Sequence, residues 1–314
     1  MKSILLFLFL FLFPSSFCFS DELPSEFKND LIYLTPKLTD GTTITFFTDT
    51  GGGWNAISKE LSDKYHWHTQ TKEAEDGPIE VTAMPQFNKS VSIPGAGLNN
   101  WWEGKLQVVP KGDISRNGMS DGTLGGRWHA EKIIEFDYHN KSISVLNEAP
   151  LSDTIITIPL GFQKNEEGHY TLAFPSIDIS VDGKLIPMLL DTGASAWPSS
   201  EAATVAGLPE VQSGTSFIAA SIFDEWTKAH SDWLVIENGC RVSNQDMIRV
   251  PAITVGKSTI GPVWFTRRPD PNFHQFMSSM MDRRIDGALG GSALKYLHIV
   301  VDYPNEQAYI HSAI

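Results

Sequence analysis

Cysteine is almost absent from this 314-residue chain, with Cys18 and Cys240 its two examples. Cys18 falls in an N-terminal leader, and a lone Cys240 cannot close an internal disulfide, so the fold must rest on packing. Long apolar runs are scarce too. Residues 4–13 form an unbroken apolar stretch of ten, short of the about 20 residues that a membrane-spanning helix needs. Lys2 precedes it, Pro14 ends it, and Cys18-Phe19-Ser20 closes the leader. Residues 1–20 therefore read as a cleavable signal peptide, and the mature chain as secreted or periplasmic with no stable membrane insertion. Basic charge is also in deficit: 24 Lys and Arg stand against 37 Asp and Glu, for a net charge of -13. That balance disfavours nucleic acid and anionic membrane surfaces as partners. No Gly-x-Ser-x-Gly, His-Glu-x-x-His, Cys-x-x-Cys or phosphate-binding Gly-x-x-x-x-Gly-Lys-Ser/Thr motif occurs. His66-Trp67-His68 places two imidazoles on one face of an extended strand, but nothing at familiar spacing completes a metal site. No metal and no cofactor is expected.

What the chain does have is one unit written twice. Asp49-Thr50-Gly51 and Asp191-Thr192-Gly193 each follow an Asp-Gly pair nine residues upstream, at Asp40-Gly41 and Asp182-Gly183. Each is followed later by Asp-Gly-x-Leu-Gly-Gly, at 121–126 and 286–291, and then by Asp-Tyr, at Asp137-Tyr138 and Asp302-Tyr303. The first two blocks repeat with an offset of 142 residues and the last two with 165, so the second copy carries 23 additional residues between them. Surface loops absorb insertions of that size at small entropic cost.

The pattern is mainly β. Asp40-Gly41 and Asp182-Gly183 lie between apolar, β-branched runs and predict hairpins 31–48 and 177–190, each delivering Asp-Thr-Gly after its second arm. The stretch 185–190 is apolar on both faces and predicts a strand buried on both sides. Later strands are expected at 131–138, 142–146, 298–303 and 307–311, and 153–160 reads as a strand near the junction of the halves. Short helices are expected at 58–65 and 200–206, and a longer one within 219–236, where part of the insertion is expected. Residues 21–150 and 151–314 are expected to form an N-terminal and a C-terminal lobe. Asn88-Lys89-Ser90 and Asn140-Lys141-Ser142 have the form of glycosylation sequons.

Paired Asp-Thr-Gly tripeptides with apolar-Leu-Gly blocks resemble aspartic peptidases. Leu189-Leu190-Asp191-Thr192-Gly193-Ala194-Ser195 is similar to the retroviral-type branch, while two copies in one chain resemble the pepsin-type arrangement. The resemblance implies a mainly β, bilobal fold of two barrel-like lobes related by a pseudo-twofold, with the two loops meeting at the base of an interlobe cleft. It further implies an exported aspartic endopeptidase, monomeric because both acids lie in one chain, that acts on peptide or protein substrates. A catalytically inactive relative that binds through the same cleft is the alternative. Asp49 and Asp191 are then the catalytic pair. Thr50 and Thr192 tie the loops together, and Gly51 and Gly193 let backbone amides reach the carboxylates. Residues 84–104 are the candidate flap, with 93–97 as its tip or hinge and Trp101 and Trp102 as candidate substrate-binding residues. Asp121 and Asp286 read as turn residues, and Asp137 and Asp302 as strand ends. The chain departs from the pepsin-type pattern at Gly52 and Ala194, where a hydroxyl donor often follows the tripeptide, and it lacks an obvious flap tyrosine. The Gly51-Gly52-Gly53 run also predicts a loose first loop.

Overall fold

The computed structural model describes residues 20–74, 77–97, 103–114 and 118–311. The signal-peptide expectation, apart from Ser20, lies outside these residues, as do Trp101 and Trp102. Among the described residues no helix is long and apolar enough to cross a membrane.

Three large sheets make a mainly β, bilobal molecule. An eight-stranded sheet from the first half carries the first Asp-Thr-Gly, and a nine-stranded sheet from the second half carries the other. A six-stranded sheet joins the halves. At its centre Ile133–Asp137 from one copy pairs antiparallel with His298–Asp302 from the other, Ile133 opposite Asp302 and Asp137 opposite His298. Ser142–Leu146 and Gln307–His311 flank that pair, and the expected junction strand appears as Ile155–Pro159 on one edge. One main apolar cluster runs through both halves, including Ile32, Phe46, Trp128, Ile134, Ile179, Phe265 and Ile299.

The offsets read from the sequence reappear as hydrogen-bond registers. Phe46 pairs in parallel with Gly122, and Met188 with Gly287. The amide of Asp49 donates to the Leu124 carbonyl at 3.0 Å, and that of Asp191 to Leu289 at 2.9 Å. Asp121 and Asp286 take up matching splint positions: their amides donate to the carbonyls of Thr45 and Pro187, and their carbonyls accept from Ser58 and Ala219. Asp137 and Asp302 end their strands by accepting bonds from Asn140 and Asn305.

Both Asp-Gly hairpins form, through different turns. Asp182 and Gly183 both have positive φ (51° and 78°), as a two-residue type I′ turn requires, joining Ser176–Val181 to Lys184–Leu190. At the first hairpin Gly41 has positive φ, and the Asp40 carboxylate accepts from the Thr42 amide at 2.9 Å. The expectation of a doubly buried second arm fails at its start: Leu185 is 69% exposed, and burial is continuous from Met188 to Leu190. The helices Lys59–Tyr65 and Ser200–Ala206 are capped by the hydroxyls of Ser58 and Ser199. The longer helix covers Ala220–Ala229 and gives way to the strand Leu234–Cys240.

That helix does not hold most of the insertion. Asn55 pairs with Leu124, and Phe217 pairs with Ala288, so Asn55–Ser58 matches Ser216–Ala219 with an offset of 161, or 19 more than 142. The added residues fall mainly before Ser216, in a segment with the helix Ser200–Ala206 and a small pairing of Ser195–Ala196 with Ser213–Gly214.

The copies also differ beneath their glycine turns. Gly126–His129 and Gly291–Leu294 are equivalent short helices, and where the second buries Leu294 the first buries His129 completely. Nδ1–H of His129 donates to the Gly125 carbonyl at 2.9 Å, and burial lowers its pKa to about 3. The unfolded chain takes up this proton below the ordinary imidazole value near 6.5, while the folded chain stays neutral to much lower pH. Stability present above pH 6.5 is therefore lost as pH falls toward 3, by on the order of 4 to 5 kcal/mol in all. His129→Leu, which installs the residue of the second copy, removes this proton uptake. Urea unfolding at pH 6.5 and 4.5 should show the wild type losing about 2 to 3 kcal/mol more than the variant between the two conditions. Equal losses would show that His129 does not set the acid limit.

Candidate active site

Each tripeptide leaves a strand held in parallel register by its later Leu-Gly block, so both loops start from buried, doubly paired backbone. Phe46–Thr48 delivers Asp49 and Lys184–Leu190 delivers Asp191. The loops then cross-link. Oγ1 of Thr50 donates to the Leu190 carbonyl at 2.6 Å and accepts from the Thr192 amide at 3.0 Å. Oγ1 of Thr192 donates to the Thr48 carbonyl at 3.3 Å and accepts from the Thr50 amide at 3.2 Å. Both threonines are buried, so these four bonds are shielded from competing water.

This lock brings Asp49 and Asp191 together, and a hydrogen bond joins their carboxyl groups. Each carboxylate also accepts from the amide of its own glycine: Gly51 to Asp49 at 3.1 Å and Gly193 to Asp191 at 2.9 Å. Both side chains keep a partly accessible face, unlike the threonines below them. Burial raises both carboxyl pKa values, and for Asp191 the neighbouring Asp49 charge raises it further. Two carboxylates this close share a proton, and the titration belongs to the pair.

The glycines serve approach between the loops. A Cβ on Gly51 would sit 2.7 Å from Cγ of Asp191, and one on Gly193 would sit 2.3 Å from Cγ of Asp49. Each glycine thus makes room for the opposite aspartate. Gly52 follows the same logic, since a Cβ there would lie 2.9 Å from Cγ of Asp49. A side chain at position 52 therefore does not fit without a shift of Asp49. The triple glycine is therefore packed at its first two positions, against the expectation of a loose loop.

Two site expectations change. The segment 93–97 is anchored to the N-terminal half: Ile93 is buried in the main core, and Nε1 of Trp128 donates to the Pro94 carbonyl at 2.9 Å. A Cβ on Gly97 would meet Glu131 at 2.3 Å. This is not a free flap tip. The more exposed hairpin is Thr69–Ala74 with Gly77–Thr82. The second change is a wall not singled out from sequence. Phe174, Leu189, Ala194, Phe217, Phe273 and Met281 form a separate apolar cluster, with Leu172, Met277 and Met280 partly exposed on it. Leu189 lies against Gly51, while Phe174 and Leu172 are nearest to Gly53, so the cluster flanks the dyad. The Phe- and Met-rich run 273–281 was its available signal.

No family model and no curated protein matches the chain. Solved structures do. Basic 7S globulin from soybean aligns with a TM-score of 0.50 at 9% identity, over 94% of this chain and 95% of that one. The structure of edgp aligns with a TM-score of 0.50 at 11% identity, over 96% of each chain. Conglutin gamma, a basic 7S globulin from lupine seeds, aligns at 0.47 and 12% identity, over 94% and 95%. At such identities the likeness concerns the fold, which is aspartic-protease-like.

The lock is graded, because the bonds of the Thr50 hydroxyl are shorter than those of Thr192. Thr50→Val leaves the Leu190 carbonyl and the Thr192 amide buried without partners and should cost roughly 2 to 5 kcal/mol. Thr192→Val should cost less, and Thr50→Ser should recover most of the loss. Chemical denaturation of the three variants checks the order, and a reversed order would refute the grading.

Proposed function

We propose that this chain is an exported aspartic-type endopeptidase that hydrolyses extended peptides with water activated by Asp49 and Asp191. The observation that carries this reading is the hydrogen-bonded carboxyl pair, with raised pKa values, held across two loops by reciprocal threonine bonds. One carboxylate of the pair takes a proton from water while the other, protonated, donates to the scissile carbonyl oxygen. The water oxygen adds to the carbonyl carbon to give a tetrahedral diol, and proton return to the amide nitrogen releases the amine. No covalent enzyme intermediate forms. The apolar cluster beside Leu189 and Phe174 supplies a surface for substrate side chains. Both acids belong to one chain, so a monomer suffices.

The second reading is a protein that binds peptide in the cleft without hydrolysing it. It is favoured by the similar soybean structure, which is named a globulin. The dyad favours hydrolysis, because a purely binding cleft has no chemical need for two facing carboxylic acids.

Peptide-library hydrolysis across pH separates the two. Asp49→Asn and Asp191→Asn should each lower the rate by about 10³-fold, within the range for loss of a positioned acid or base. Raised carboxyl pKa values, with no hydroxyl donor at positions 52 and 194 to favour the charged form, place the singly protonated dyad at higher pH than in a gastric enzyme. The rate should therefore peak well above about pH 2, near which gastric dyads work. Equal rates in wild type and both variants would eliminate the dyad. Peptide binding without turnover at any pH would establish the second reading.

A further inference from the structure

We propose that Glu135, His298 and His311 form a site for a divalent transition-metal ion on the six-stranded sheet that joins the halves. One ligand atom from each lies within 4.8 Å of the others. They come from three adjacent strands, Ile133–Asp137, His298–Asp302 and Gln307–His311. Ile134, Phe136, Ile299, Val301, Ala308 and Ile310 alternate with them and face the main core. The three ligands therefore share the opposite face on rigid, paired backbone.

The donor set is two imidazoles and one carboxylate, the chemistry that suits zinc and its neighbours and leaves positions for water. Nε2 of His298 faces Oε1 of Glu135 at 2.8 Å, and its Nδ1 faces Oδ2 of Asp137 at 3.7 Å. A carboxylate on the far nitrogen is how a metal-bound histidine is held in tautomer and orientation. The Glu135 contact by itself is an ordinary ion pair and accounts for His298. It does not account for His311, whose Nε2 is buried without a hydrogen-bond partner. The two rings stack at 3.9 Å and 8°. Ion binding turns them from face-to-face to convergent, so that both lone pairs reach one centre. Glu135 belongs to the first copy and both histidines to the second, so the ion would cross-link the halves of a chain whose single described cysteine cannot. This site is independent of the dyad.

Zinc titration of the chelator-treated mature chain tests it, by calorimetry and by thermal melting, with cobalt(II) absorption reporting geometry. The wild type should bind one zinc per chain and melt at higher temperature with zinc. His311→Gln and Glu135→Gln, shown folded by circular dichroism, should bind at least about 100-fold more weakly and lose the zinc-dependent shift, and Asp137→Asn should bind about 10-fold more weakly. His66→Gln/His68→Gln should bind like the wild type. Absence of saturable binding to the wild type, wild-type affinity in both His311→Gln and Glu135→Gln, or loss of binding in the His66/His68 variant would each overturn the assignment.

Discussion

Two acids of like charge must be kept face to face at a site where burial already disfavours charge, and nothing covalent does it. The restraint is the reciprocal bonding of Thr50 and Thr192, in which each hydroxyl donates to a backbone carbonyl across the loops and accepts an amide in return. Its four bonds tie each loop to the other, so neither can move without unsatisfying buried groups of the other. The parallel pairs of Phe46 with Gly122 and Met188 with Gly287 fix where each loop begins. The central sheet fixes the halves against each other. Gly51 and Gly193 then decide how closely the carboxyls approach, because any side chain there would occupy the space of the opposite aspartate.

The duplicated parts were legible because the same physics acted on both copies. Offsets of 142 and 165 became strand registers, and Asp121, Asp286, Asp137 and Asp302 became splints and turn acceptors, as their positions before glycine or at strand ends implied. Legibility failed where packing across long sequence separations decides the outcome. Residues 93–97 read as the tip or hinge of a flap, yet Trp128 and the core hold Ile93 and Pro94 in place, which a free tip would not allow. Leu185 reads as buried from its apolar character, but it follows a tight turn and faces solvent. The helix 220–229 attracts attention as the longest helical signal in the longer copy, while strand pairing shows most of the insertion lying before it. The Glu135, His298 and His311 cluster draws on residues far apart in the chain, so no local spacing announces it.

The copies are not equivalent beneath their glycine turns. Beneath the second glycine turn, the Gly290 amide is satisfied by the Ser216 hydroxyl, and Leu294 fills the space behind. Beneath the first, the Gly125 amide donates to Asn55 and the Gly125 carbonyl accepts from His129. The Gly126 amide meanwhile donates to the Gly52 carbonyl, directly after the first Asp-Thr-Gly. The first loop is thus braced by a polar network whose end member is titratable, and the second by a hydroxyl and an aliphatic side chain.

That asymmetry couples the dyad to the stability of its support. A dyad that works at very low pH needs a scaffold indifferent to protons, and a neutral buried imidazole one turn away from the first loop is the opposite of that. Protonating His129 would put an uncompensated charge beside Gly125, with the Lys132 ammonium nearby adding to the cost. The carboxyl pair has moved in the complementary direction, since burial, and for Asp191 the Asp49 charge as well, raises both carboxyl pKa values. Both shifts come from the same cause, exclusion of solvent around the loops. They act with opposite sign on an acid and a base: the dyad's single-proton state moves up in pH, and the scaffold's tolerance is cut off from below.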